Sequence, residues 1–137
     1  MSVVIDGDVI LRGVASQVCD RYDPTASASD VAAALTATDP HFVTWTIRAP
    51  TPTTSLQRPT RVTFTAQVIA HGYTRGGAKE LAADFVDALY ESVGRVFAGV
   101  EVKSAKCPQL PAELRFDGQS TTHNRFIMNV AVTAAAQ

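Results

Sequence analysis

The sequence predicts an α+β fold: a mixed, mostly antiparallel sheet of about four strands, with one long amphipathic helix and an N-terminal helix packed on one face. Two observations carry this prediction. A run of alternating polarity at 61–71 passes through a glycine-containing turn into a long helical pattern at 75–95. Two segments with the composition of strands precede that helix in the chain, and two more follow it. Helices cannot cover both faces of such a sheet, so the expected class is α+β.

Length and composition limit the class of protein. The chain has 137 residues, 46% of them hydrophobic, with 12 basic and 13 acidic residues. This fits one domain over 1–137 with one core, and the near-neutral charge argues against an autonomous nucleic-acid binder. We expect neither a membrane segment nor a secretory signal. Cys19 and Cys107 are too few for a disulfide framework or a zinc site, so both are expected to be reduced thiols.

The region before the first strand predicts two helices. Apolar residues recur at helical spacing from Asp8, the expected N-cap, to Tyr22. A short second helix over 30–37 is expected to begin at Ser29 or Asp30.

Two strands, 41–48 and 61–71, are predicted to form an antiparallel hairpin with a long tip, because alternating polarity runs through both. The tip, 49–60, holds three prolines and four threonines and is expected to be an extended polar loop. Loops of this length are commonly functional, which makes the hairpin the candidate subunit or partner interface. The candidate residues are Thr51, Thr53, Thr54, Leu56, Gln57 and Arg58 in the tip, and Arg61, Thr63, Thr65 and Gln67 on the outward face of the second strand.

The long helix is expected to begin after the N-cap Thr74 and to present an apolar stripe and an acidic face. The stripe consists of Ala78, Leu81, Ala82, Phe85, Val86, Leu89, Val93 and Val96. The acidic face consists of Glu80, Asp84, Asp87 and Glu91. A short strand at 100–105, a proline-containing connection at 107–123 and a last strand at 124–135 complete the predicted order.

No catalytic residue, cofactor site or metal site is predicted. The turn GYTRGGAK invites comparison with a phosphate-binding loop, but Ala78 separates Gly77 from Lys79, so the required G-K-[ST] spacing is not met. A cysteine–histidine pair lacks any accompanying oxyanion motif. The expectation is therefore a protein that is not an enzyme.

The segments RVTFTAQVIAHGYTRGGAKELAADFVDAL and NRFIMNVAVTA resemble the tail terminator (tail completion) proteins of long-tailed bacteriophages. Members of that family tend to have a strand of alternating polarity, a T-R-x-x-A turn and a helix of the A-x-x-L-A-D type. The order of the predicted elements over most of the chain is also similar.

The resemblance implies a structural protein that forms a ring, expected to be a hexamer, on the head-proximal end of the tail tube. The ring would end tube growth and join the tail to the head. The implied partners are further copies of the chain, the tail tube protein and a head-completion or connector protein, with DNA only in transit through the lumen and no cofactor or membrane. The implied location is the head–tail junction of the virion tail, after synthesis in the host cytoplasm.

Two points stay open at this stage. The acidic face is a candidate for either the wall of the lumen or a solvated surface. The alternative functions are a neighbouring head–tail connector or minor tail protein and, in another class, a small α+β ligand-binding module or enzyme.

Overall fold

A computed structural model describes residues 6–48, 51–52, 61–113 and 124–136. In chain order the elements are α1 (Gly7–Val18), α2 (Ala28–Ala34), β1 (His41–Ile47), β2 (Thr51–Pro52), β3 (Arg61–Gly72), α3 (Arg75–Glu91), β4 (Val96–Phe97), β5 (Val100–Glu113) and β6 (Asn124–Ala136). None of the helices in these residues is long and apolar enough to cross a membrane.

The fold described by these residues is α+β, with an antiparallel sheet of six strands, two of them only two residues long, and three helices. The strands lie in the order β1-β3-β6-β5-β4, and the two-residue β2 also pairs with β3. The four predicted strands correspond to the four long ones, whereas β2 and β4 were not predicted. Every pair between the named strands is antiparallel, with β6 between β3 and β5, and the parallel component in the described ranges is an isolated bridge between Tyr22 and Val43.

The hairpin of β1 and β3 has the predicted antiparallel pairing, from His41 opposite Gly72 to Ile47 opposite Ala66. Most of the predicted tip lies outside the described residues. The exception is β2, whose backbone continues the pairing along β3, with Thr51 opposite Thr63. The register fixes which side chains of β3 face the helices and which face away from them.

One face of the sheet packs against α1 and α3 and holds the core. The inward residues of β3 and β6 are those that alternation predicts: Phe64, Ala66, Val68 and Ala70 on β3, and Phe126, Met128, Val130 and Val132 on β6, all buried. Trp45 is also buried on this face, and its indole Nε1 donates to Asp8 Oδ1 of α1 at 2.9 Å. That hydrogen bond satisfies a polar group that burial would otherwise leave unpaired.

The long helix begins where the sequence predicts and ends earlier. Thr74 is the N-cap, and its hydroxyl accepts from the backbone N–H of Gly77 at 3.0 Å. The helix stops at Glu91 instead of residue 95, because Gly94 takes a left-handed backbone with φ 89°. Val93 and Val96 are consequently exposed and do not belong to the buried stripe. Ala88, which the prediction missed, is buried instead.

The first helix is also shorter than predicted and begins earlier. Its N-cap is Asp6, whose side chain accepts from the backbone N–H of Asp8, and it ends at Val18 instead of Tyr22. The reason lies in the sheet. The backbone N–H of Val43 donates to the carbonyl of Arg21, and that of Asp23 donates to the carbonyl of Val43. Sheet hydrogen bonds thus replace the last predicted helical turn.

The second helix is displaced toward the N-terminus relative to the predicted 30–37. It spans Ala28–Ala34, and Ser27 is its N-cap rather than Ser29 or Asp30. Asp30 instead occupies the third helical position, where it completes a capping box with Ser27.

The predicted connection at 107–123 is wrong for its first seven residues, which continue β5 to Glu113. Prolines normally exclude a central strand, but they are tolerated at edges and bulges. The pairing of β5 with β6 shifts register between Lys106 and Gln109 and again between Gln109 and Ala112. Pro108 and Pro111 fall within these two shifts, so neither proline has to donate a hydrogen bond in a regular ladder.

Candidate subunit interface

The outward face of the sheet consists mainly of small, uncharged polar side chains. On β3, Thr65 is exposed and Thr63 and Gln67 are half-buried. Thr63, Thr65 and Gln67 stand opposite the outward β6 residues Thr133, Ala131 and Asn129 respectively. The hydroxyls of Thr63 and Thr133 lie 2.9 Å apart, within hydrogen-bonding distance. The predicted outward residues of β3 therefore share one surface, which we call the outer face.

An apolar pair lies near the middle of the outer face. Ile69 of β3 stands opposite Ile127 of β6, and both side chains are half-buried. On the same face of β6, Arg125 precedes Ile127 and stands opposite His71, and Asn129 follows it opposite Gln67.

The outer face ends near Gly72 in a buried polar contact. His71 is 3% exposed, and its Nε2 lies 2.8 Å from the hydroxyl oxygen of Thr44. The ring of Phe42 meets the imidazole edge-on, with 6.4 Å between ring centroids. His71 is therefore a packed residue and not a solvent-facing one.

Three exposed cations stand on or beside the outer face at the end nearest the hairpin tip. Arg48 continues the outward positions of β1, and its backbone N–H donates to the carbonyl of Thr65 at 2.9 Å. Thr65 stands opposite Ala131, which stands opposite Lys106 of β5. Arg48 and Lys106 are therefore the two ends of one row across the sheet, and exposed Arg61 begins β3. We call Arg48, Arg61 and Lys106 the basic row.

The acidic face of α3 is exposed along its whole length, as predicted. Its members are Glu80, Asp84, Asp87 and Glu91, which we call the acidic stripe. The ion pairs within the described ranges are Arg12 with Asp8, Arg75 with Glu113 and Lys103 with Glu101, and none of them includes the stripe. Nor do any three His, Cys, Asp or Glu residues in those ranges come together as a metal site.

The predicted site residues thus fall on two surfaces rather than one. Arg61, Thr63, Thr65 and Gln67 belong to the outer face, whereas the acidic stripe lies on the far side of α3 from the sheet. Of the predicted tip residues, Thr51 lies in β2. The predictions for Thr53, Thr54, Leu56, Gln57 and Arg58 lie outside the described residues.

Sequence reasoning missed two members of the basic row as site residues. Alternation had placed Arg48 on the outward side of β1, and that signal was sufficient to include it. Lys106 carried no such signal, because its segment was predicted to leave the sheet at residue 106.

A separate small cavity is lined by one cysteine and one histidine. Cys19 and His41 both line a depression of about 280 Å³ near the end of α1. The thiol donates to the carbonyl of Arg21 at 3.0 Å, and burial raises the pKa of Cys19 above its ordinary value. Burial also raises the pKa of Cys107. Both shifts favour the neutral thiol over the nucleophilic thiolate.

In comparisons with known proteins, no protein-family model and no curated protein matches the chain at a significant level.

Proposed function

We propose that the chain is a structural subunit of a long-tailed phage, of the tail terminator type. Copies associate into a ring on the head-proximal end of the tail tube. The ring ends tube growth, offers a surface to the head connector and leaves a lumen for DNA. This role needs extended docking surfaces and no reaction chemistry.

The observation that carries the proposal is the outer face itself. Four long antiparallel strands present a broad surface of Thr, Gln and Asn side chains around the Ile69–Ile127 pair. A surface of this size and composition fits an interface between proteins better than a small-molecule site, which is a concave and mostly apolar pocket. Together with the quoted strand–turn–helix resemblance, it favours a subunit of an assembly.

The edge of the sheet at β5 is poorly suited to pairing with another strand. The backbone N–H of Cys107 donates to the hydroxyl of Tyr90 on α3 at 3.1 Å, and Pro108 and Pro111 have no N–H to offer. Such devices protect sheet edges from strand addition. Contacts between copies are therefore expected to involve the faces of the subunit rather than this edge.

Placing charge on the outer face is expected to abolish capping of the tube. In Thr65→Glu/Gln67→Glu, two carboxylates replace neutral polar side chains of the outer face, and desolvating them at an interface is unfavourable. We expect tubes grown from purified tail tube protein to be capped at least tenfold less often than with the unaltered chain. The measurement is the fraction of tube ends bearing a ring in negative-stain electron micrographs.

The matched control is Ser29→Glu/Ala33→Glu, which adds the same charge at two exposed positions of α2. This variant should cap tubes normally. Normal capping by the outer-face variant, with its circular dichroism spectrum and unfolding temperature unchanged, would contradict the role given to this face.

A further inference from the structure

We propose that the acidic stripe of one copy docks on the basic row of the next copy, so that copies associate head to tail. The inference rests on the proposed ring-forming function in naming the contact between subunits. The partner is therefore a second copy of this chain, and the contact is electrostatic. Its physical basis is the separation of opposite charges onto two sides of a chain whose formal net charge is −1.

The acidic stripe is electrostatically unfavourable in an isolated subunit. Glu80 and Asp84, Asp84 and Asp87, and Asp87 and Glu91 are successive i,i+3 or i,i+4 neighbours on α3. Like charges at these spacings destabilise a helix, and opposite charges stabilise it. Lys79 is not at either spacing from a stripe residue, and no basic residue occupies the last turn of the helix. A cationic surface placed against the stripe would relieve this repulsion.

The surface beside the stripe has a shape that accepts long side chains. Asp84, Asp87 and Glu91 line an open depression of about 340 Å³ between α3 and α1, with Gln17 of α1 on its other side. Lysine and arginine extend a charged head on an apolar stem, which suits entry into such a depression. Carboxylates bind guanidinium and ammonium groups through charge-assisted hydrogen bonds.

The basic row has no ion-pair partner in the parts of the chain that the structure describes. Arg48, Arg61 and Lys106 are all exposed, and none forms an ion pair with another residue of the described ranges. Arg48 and Lys106 stand three strand spacings apart, which is about 14 Å. The acidic stripe is about 16 Å long, because an α-helix rises about 1.5 Å per residue. The two charged surfaces therefore match in length as well as in sign.

The positions of the acidic stripe and the basic row determine how copies of the chain associate. α3 packs on the inward face of the sheet, so its stripe and the outer face point away from each other. A contact between two different patches on opposite sides of a subunit is heterologous and repeats from copy to copy. Such a contact closes into a ring when a whole number of equal rotations between neighbouring copies makes one full turn. A second copy is thus the one partner that uses both surfaces at once.

Charge reversal tests the contact in the purified chain, without tube protein. In one variant, Asp84→Lys/Asp87→Lys, two lysines at the centre of the stripe face the basic row of the next copy. In the other, Arg48→Glu/Lys106→Glu, two glutamates of the row face the acidic stripe of the next copy. Sedimentation velocity at low salt should show self-association of the unaltered chain. Each variant alone should associate at least tenfold more weakly, since like charges then face each other. Raising the salt concentration should weaken the native contact, because exposed charges are screened.

Restoration of association is the decisive part of the experiment. An equimolar mixture of the two variants should associate again, since each then finds a complementary surface on the other. The chain carrying all four substitutions should also regain self-association. Circular dichroism is expected to match that of the unaltered chain, because all four positions are exposed.

Three outcomes would overturn the contact. They are a monomeric unaltered chain at every concentration in low salt, self-association unaffected by reversal of the stripe, and a mixture that stays dissociated. The second outcome is the one expected if the stripe lines a lumen or faces solvent. This experiment contains no tube protein, so it is independent of the capping assay. If the charge-reversed variants associate only when mixed but the unaltered chain does not cap tubes, the contact is supported and the proposed function is rejected.

Discussion

Replacing Phe85 by alanine is expected to lower the free energy of unfolding by about 3–5 kcal/mol. Phe85 is fully buried at the centre of the inward stripe of α3. The substitution removes most of a large apolar side chain and leaves a cavity that the surrounding sheet and helices fill only in part. Natural domains are stable by about 5–15 kcal/mol, so the loss is a large share of the total. Urea denaturation followed by circular dichroism at 222 nm measures it.

Two controls separate core packing from a general effect of substitution in α3. Phe85→Leu keeps much of the apolar volume and should cost about 1 kcal/mol. Lys79→Ala, at an exposed position of the same helix, should change stability by less than about 0.5 kcal/mol. If Phe85→Ala were no more destabilising than Lys79→Ala, the stripe would not be the interior surface of this helix.

Gly72→Ala is expected to destabilise the chain by about 2–3 kcal/mol. A Cβ atom added at Gly72 would lie 2.5 Å from the backbone nitrogen of Ala78 and 2.7 Å from its Cβ. These atoms belong to the first turns of α3, so the clash cannot be relieved by a flexible side chain. The end of β3 and the start of α3 must then move apart. Equilibrium unfolding in urea reports the change.

Gly76→Ala is the matched control for this glycine. Gly76 lies four residues further on, in the first turn of α3, and an added Cβ would meet nothing within 4 Å. Alanine has the higher helix propensity, so this substitution should raise stability by roughly 0.5–1 kcal/mol. Equal stability of the two variants would contradict the close approach of β3 to α3.

Local signals in the sequence were sufficient to predict the unit formed by β3, the following turn and α3. The alternation of β3, the N-cap Thr74 and the apolar stripe through Leu89 all reappear in the structure. Each depends on residues near one another in the chain. The wrong C-terminal boundaries of α1 and β5 depend on distant residues. α1 ends early because residues 21–23 pair with Val43, and β5 continues because β6 supplies its ladder.

The candidate surfaces could be predicted in part for the same reason. Strand alternation alone indicated that Thr63, Thr65 and Gln67 share a face, and helical spacing alone grouped the acidic stripe. The row from Arg48 to Lys106 depends on the pairing of four strands, of which only β1 and β3 had been paired from the sequence. No local pattern reveals a row that exists only after β6 has inserted between β3 and β5.

The most direct test of the proposed function is the length of tail tubes grown with and without this chain. Purified tail tube protein is polymerised at fixed concentration with increasing amounts of the chain, and tube lengths are measured in electron micrographs. The proposal predicts that tubes become shorter as the chain is added, keep their diameter and carry ring-shaped density at one end. A length distribution that does not change, with no ring at either end, would contradict it.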